Sequence, residues 1–250
     1  MPSVGDMPSF HHISADQTEL VPPKKHEKAG EGTFRPAGCI AVILYVLQLI
    51  GTAVFACSGA LEAGRKRLDL VGVAAVSFVT AMGGGTVRDV LLDRETLLWT
   101  ADPVYLYISV GAGLLTWALA RIWVPSSRML VLLDAGGLAL FTISGVQVAE
   151  HEGASAVIAL VMGLITGAAG GVFRDVLCGE IPLIFRASDL YVSASLLGGG
   201  AYLAAKALGL SIGASALLGA TLIFLLRMAA VKWHWRLPVF SLSEKSVERE

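Results

Sequence analysis

Residues 70–92 read LVGVAAVSFVTAMGGGTVRDVLL, and residues 156–178 read AVIALVMGLITGAAGGVFRDVLC. The two stretches share one arrangement, an apolar run that carries a glycine cluster and then an arginine followed by an aspartate. Gly83, Gly84 and Gly85 precede Arg88 and Asp89; Gly170 and Gly171 precede Arg174 and Asp175. Arg88 and Arg174 lie 86 residues apart, and so do Asp89 and Asp175. At that offset Phe55, Ser58 and Gly59 recur as Phe141, Ser144 and Gly145, Thr80 as Thr166, and Tyr105 as Tyr191, while Gln48 matches Asp134. Apolar chains produce chance matches among Leu, Ala and Val, but not this combination at one offset. The chain is an internal duplication.

Composition sets the class. Hydrophobic residues make up 55% of the chain and charged residues 16%, and the mean hydropathy is +0.69. That is too apolar and too poor in charge for an ordinary soluble domain. A bilayer-spanning helix needs about 20 predominantly apolar residues, and several windows after residue 38 supply them. An all-α, multi-pass membrane protein follows. The net charge of −1 gives no case for a nucleic-acid partner. Cys39, Cys57 and Cys178 lie in apolar runs without a Cys-x-x-Cys pair, so neither a disulfide framework nor a metal or cofactor site is suggested. No Ser-His-Asp, metal-ligand or phosphate-loop constellation points to an enzyme.

Along the chain, residues 1–38 are polar, contain Pro22, Pro23 and Pro36, and lack apolar periodicity, the signature of a disordered tail. Spans are expected over residues 39–61, 70–92, 104–123, 130–149, 154–178, 190–208 and 211–231. Residues 39–125 then form a first three-helix repeat, 126–209 a second, 210–236 a seventh span, and 237–250 a polar tail. An odd number of spans per repeat makes the fourth span start on the opposite face from the first, so the repeats are inverted. Basic residues such as Arg65, Lys66, Arg67, Arg121, Arg128, Arg186, Lys232 and Arg236 gather on one face. The positive-inside rule makes that face cytoplasmic, with the N-terminus outside and the C-terminus inside the cell membrane.

Inverted repeats form substrate or ion sites near the midplane from helices interrupted there. The glycine clusters have low helix propensity, and the second and fifth spans are expected to break at them. Such a break exposes the carbonyls of Thr80, Ala81 and Met82 and the amides near Thr86 and Val87, a device suited to cation passage or to holding a small amino acid. Close helix packing is the plain alternative for the same glycines. Arg88, Asp89, Arg174 and Asp175 are costly in lipid, at least about 2.5–3.5 kcal/mol each at a helix centre. Adjacent residues point in different directions on a helix, so pairing across the repeats is expected, Arg88 with Asp175 and Arg174 with Asp89. Ser58, Thr80, Asp134, Ser144 and Thr166 are candidates to line a polar passage, although a membrane Ser or Thr commonly bonds its own helix carbonyl. Glu180 and Arg186 are expected to anchor the cytoplasmic end of the fifth span.

GGGTVRDVLL, DAGGLALFTISG and GGVFRDVLCGEIPLIFR resemble the prokaryotic members of the trimeric intracellular cation channel family, whose sequences also carry the domain label glycine transporter. The resemblance covers about residues 42–235. It implies a homotrimer in membrane lipid, a pore within each seven-span protomer beside kinked second and fifth spans, and permeability to potassium or sodium ions. Animal members carry a Lys-Glu-Val signature on the fourth span, where this chain has Gly145, Val146 and Gln147, so their calcium and lipid regulation does not carry over. Two functions stand open: a passive cation channel, and a carrier of glycine or another small amino acid.

Overall fold

The computed structural model describes residues 39–122, 126–185 and 190–235. The two expected tails, Arg186 and Arg236 lie outside the described residues. In chain order the helices are α1 Cys39–Arg65, α2 Leu70–Leu91, α3 Leu98–Ala101, α4 Val104–Leu119, α5 Ser127–His151, α6 Ala156–Leu177, α7 Tyr191–Ala207 and α8 Ile212–Trp233. A 3-10 turn at Leu183–Phe185 precedes α7. The seven long helices match the seven expected spans; α3 and the 3-10 turn were not foreseen. Five of the helices are long and apolar enough to cross a bilayer, and Val104–Leu119 is a shorter apolar one. Val71, Val90, Tyr107, Val157 and Leu217 stand exposed on the outer surface, as lipid-facing residues do.

Local chemistry sets the helix ends. The Asp69 side chain caps α2 by accepting from the Gly72 N–H at 2.7 Å, and Ser211 caps α8 by accepting from the Ala214 N–H at 3.3 Å. The chain leaves α5 and α6 through Gly153 and Gly179, at φ +80° and +68°, where glycine carries no steric penalty. The matching positions in the first repeat are Arg67 and Asp93, and they adopt the same left-handed turn at φ 57° and 52°. The duplication therefore extends to backbone conformation even where residue identity has diverged.

The expected breaks are absent. Both α2 and α6 run as continuous α-helix through their glycines. Close approach is what the glycines provide instead. A Cβ on Gly84 would lie 2.0 Å from the Thr166 carbonyl oxygen, and one on Gly170 would lie 2.2 Å from the Thr80 carbonyl oxygen. These two contacts are the same contact seen from either repeat, since Thr80 matches Thr166 and Gly84 matches Gly170. Lipid tails are as apolar as leucine, so helices in a membrane associate through such packing, with Cα–H···O contacts worth about 0.5–1 kcal/mol each.

The two repeats meet along α2 against α6 and α1 against α5. Phe55 and Phe141 stack where α1 meets α5, ring centroids 5.2 Å apart. Residues just past the ends of α1 and α6 touch, Lys66 with Glu180, and residues just past α2 and α5 touch, Arg94 with Glu152. The first helix of one repeat thus ends level with the second helix of the other, as inverted repeats require. Helix α8, outside the duplication, packs on α7 and α5, with Gly198 and Gly219 letting the backbones close.

Candidate functional site

Two buried ionic centres sit near opposite ends of the α2–α6 crossing. In the first, Asp89 Oδ1 accepts from Arg88 Nε at 2.9 Å and Nη2 at 2.6 Å, and from Arg94 Nη1 at 3.2 Å. In the second, Asp175 Oδ1 accepts from Arg174 Nε at 2.8 Å. Arg88, Asp89, Arg174 and Asp175 are all buried. The expected cross-repeat pairs are not formed; each arginine folds back onto the aspartate that follows it. Cβ directions on adjacent helical residues do diverge, but the arginine side chain is long enough to turn its guanidinium around the helix.

The second aspartate oxygen explains the unforeseen elements. Asp89 Oδ2 accepts from the Leu98 N–H at the start of α3, and Asp175 Oδ2 from the Leu183 N–H at the start of the 3-10 turn, both at 2.9 Å. Each aspartate neutralises an arginine with one oxygen and caps a returning segment with the other. The charge-assisted bond stabilises a helical start that offers no side-chain cap of its own.

The polar groups around the two centres differ. Arg174 Nη1 donates to Ser58 Oγ at 2.5 Å and to Asp134 Oδ1 at 2.9 Å, and Arg227 Nη2 lies 3.6 Å from Asp134 Oδ2. The Arg227 guanidinium also stacks over the Tyr191 ring, 4.6 Å from its centroid. At the other end Tyr105 donates to Gln48 Oε1 at 2.8 Å, and Gln48 Nε2 donates to Ser144 Oγ at 2.7 Å. The matched positions Gln48 and Asp134 make one cluster neutral and the other ionic. Ser58 and Ser144 thus link the repeats. Thr80 and Thr166 instead donate to Val76 O and Met162 O, each at 2.6 Å, closing onto their own helices where α2 and α6 cross.

Sequence reasoning missed Arg227. The signal was present, a lone charge within the apolar LIFLLRMAAV of α8, and intramembrane charge is a functional marker by default. Asp134, fully buried, lies between that arginine and Arg174. A cavity of about 320 Å³ opens beside the second centre, lined by Glu62, Arg65, Lys66, Leu130, Asp175, Glu180 and Leu183. Lys66 donates to Glu180 at its rim, which pushes the Lys66 ammonium pKa up from its ordinary value. Glu180, expected as an anchor, joins the two repeats.

Fold and site together define a multi-pass membrane protein made of two inverted repeats closed around paired buried ionic centres. A family model described as glycine transporter matches twice, over residues 45–121 and 131–207, again 86 apart. An inner membrane protein of Escherichia coli K12, UPF0126 protein YadS, is 41% identical over 205 residues, 81% of this chain and 99% of the relative. A UPF0126 membrane protein of Vibrio cholerae is 41% identical over 206 residues, 81% of this chain and 84% of that one. Among solved structures, the trimeric intracellular cation channel orthologue of Rhodobacter sphaeroides superposes with a TM-score of 0.74 at 37% identity, covering 78% of this chain and all of its own. A second structure, described in terms of conductance through TRIC cation channels, gives 0.72 at 30% identity over 80% and 98% of the two chains. This chain belongs to the prokaryotic trimeric intracellular cation channel family, whose sequence model bears the glycine transporter description.

Proposed function

We propose that this protein is a monovalent cation channel, permeable to potassium, that works in the cell membrane as a homotrimer with one pathway in each protomer. The observation that carries this reading is the pair of buried ionic centres set between inverted repeats at matched positions. Buried charge in a membrane is expensive, and a chain that keeps it twice, in register, has a use for it. The two solved structures are described as cation channels, and this chain covers all of one and 98% of the other.

In this reading the pathway has two polar halves. One half runs from the cavity at Lys66 and Glu180 past Asp175, Arg174, Ser58 and Asp134. The other runs from Gln48, Ser144 and Tyr105 towards Asp89 and Arg94. Between them lies the midplane crossing at Gly84, Gly170, Thr80 and Thr166, packed to contact, so the conformation described is closed there. Gly83 and Gly171 beside that crossing are filled by the Phe173 ring and by Tyr191 and Asp134, whereas Gly85 leaves room there. The side bearing Lys66 and the C-terminal end of α8 is assigned to the cytoplasm by its excess of basic residues.

Purified protein in liposomes provides the test, with potassium efflux measured beside uptake of labelled glycine. Potassium flux that is passive and saturates weakly supports the channel. Saturable, selective accumulation of glycine without potassium flux identifies a carrier and overturns it.

A further inference from the structure

Among the described residues, two ion pairs join the repeats, at opposite ends of the α2–α6 crossing. Lys66 Nζ lies 2.5 Å from Glu180 Oε1, and Arg94 Nε lies 2.9 Å from Glu152 Oε1. At the offset of 86, Lys66 matches Glu152 and Arg94 matches Glu180. The two bridges are one contact made twice, with the signs of its charges exchanged. Surface charges that serve only solubility need not obey an internal symmetry, whereas these preserve it while exchanging which of the two matched positions carries the cation, the first repeat supplying it both times.

Their placement is equally specific. Lys66 and Glu180 rim the cavity whose wall includes Asp175, and Arg94 reaches past Glu152 to Asp89 itself at 3.2 Å. Each bridge therefore stands between solvent and one buried centre. All four side chains are about one-third exposed, between 31% and 37%. Water competes for such pairs, and an exposed ion pair shifts an equilibrium only modestly, so each opens and recloses readily.

We propose that Lys66–Glu180 and Arg94–Glu152 are latches that close the two mouths of the pathway; the proposal rests on the channel reading. Because the latches act in series on one route, releasing both multiplies the effect of releasing each. Because their signs are exchanged, one is released by removing a cation at position 66 and the other by removing an anion at the matched position 152.

Potassium flux through Lys66→Gln, Glu152→Gln and the double variant in liposomes tests this, beside Lys66→Arg, which keeps its pair, and Lys232→Gln, which removes an exposed cation that does not line the cavity. Each single release is expected to raise flux about twofold to fivefold, the span that exposed ion pairs support. The double variant should approach the product of the two, Lys66→Arg should fall below Lys66→Gln because it keeps a charge pair, and the Lys232 variant should stay at the wild-type level. Equal flux in all assembled variants, or an equal rise with Lys232→Gln, overturns the latches while leaving a conducting wild type as a channel. A wild type without flux sinks the channel reading instead. A second measurement needs no substitution: Cys178, buried beside this cavity, should react faster with a water-soluble thiol reagent as salt weakens the Lys66–Glu180 pair. A salt-independent rate counts against the inner latch.

Discussion

Gly83, Gly84 and Gly85 face three different surroundings. A Cβ on Gly84 meets a backbone carbonyl that cannot move aside, one on Gly83 meets the Phe173 ring at 2.5 Å, and one on Gly85 meets nothing closer than 3.9 Å. Alanine at Gly84 or Gly170 should therefore cost about 1–3 kcal/mol or more through overpacking, and alanine at Gly83 less, because a ring can rotate. Alanine at Gly85 should be neutral or stabilising by up to about 1 kcal/mol from helix propensity. Thermal unfolding in detergent checks the order. A helix held open at a break would accept all three alike.

The matched pair Gln48 and Asp134 gives a second contrast at this scale. Asp134→Ala leaves Arg174 and Arg227 buried without the carboxylate between them, and should cost about 3–5 kcal/mol. Gln48→Ala removes neutral hydrogen bonds and should cost only about 1–3 kcal/mol. Comparable losses at both positions in urea unfolding would show that the ionic cluster is no more structural than its neutral counterpart.

At the scale of elements, the spans were legible because twenty-residue apolar runs, Pro103, Pro125 and the turn residues around Gly153 mark their limits locally. The short α3 and the 3-10 turn were not, since each depends on a carboxylate eight or nine residues earlier that only the fold brings back. The left-handed turns after α1 and α2 carry their own prediction. Arg67 and Asp93 hold a conformation in which their second-repeat counterparts are glycine, so Arg67→Gly and Asp93→Gly should each stabilise by about 1 kcal/mol, with Asp93 gaining less because aspartate tolerates the region better. A fall in unfolding temperature for both would mean that their side chains contribute more than the turn costs.

At the scale of the whole molecule, inversion has a direct readout. Single cysteines placed at Lys66 and at Glu152 in a chain without native cysteines should be labelled from opposite faces of the membrane, although the two positions are equivalent within their repeats. Labelling from the same face would contradict the opposed ends seen at the two inter-repeat ion pairs. The proposed orientation adds that position 66 is reached from the cytoplasm.

The sequence by itself determined the duplication, the number and limits of the spans, and through their odd count the opposed direction of the repeats. These are properties of spacing and local apolarity, and they survive without knowing which surfaces touch. Only the tertiary structure decided that the glycines close a helix crossing rather than break a helix, that each arginine turns to its own neighbour, and that α8 delivers Arg227 to Asp134. Partner choice among buried charges depends on a few ångströms of helix separation and on the reach of long side chains. A linear pattern carries neither.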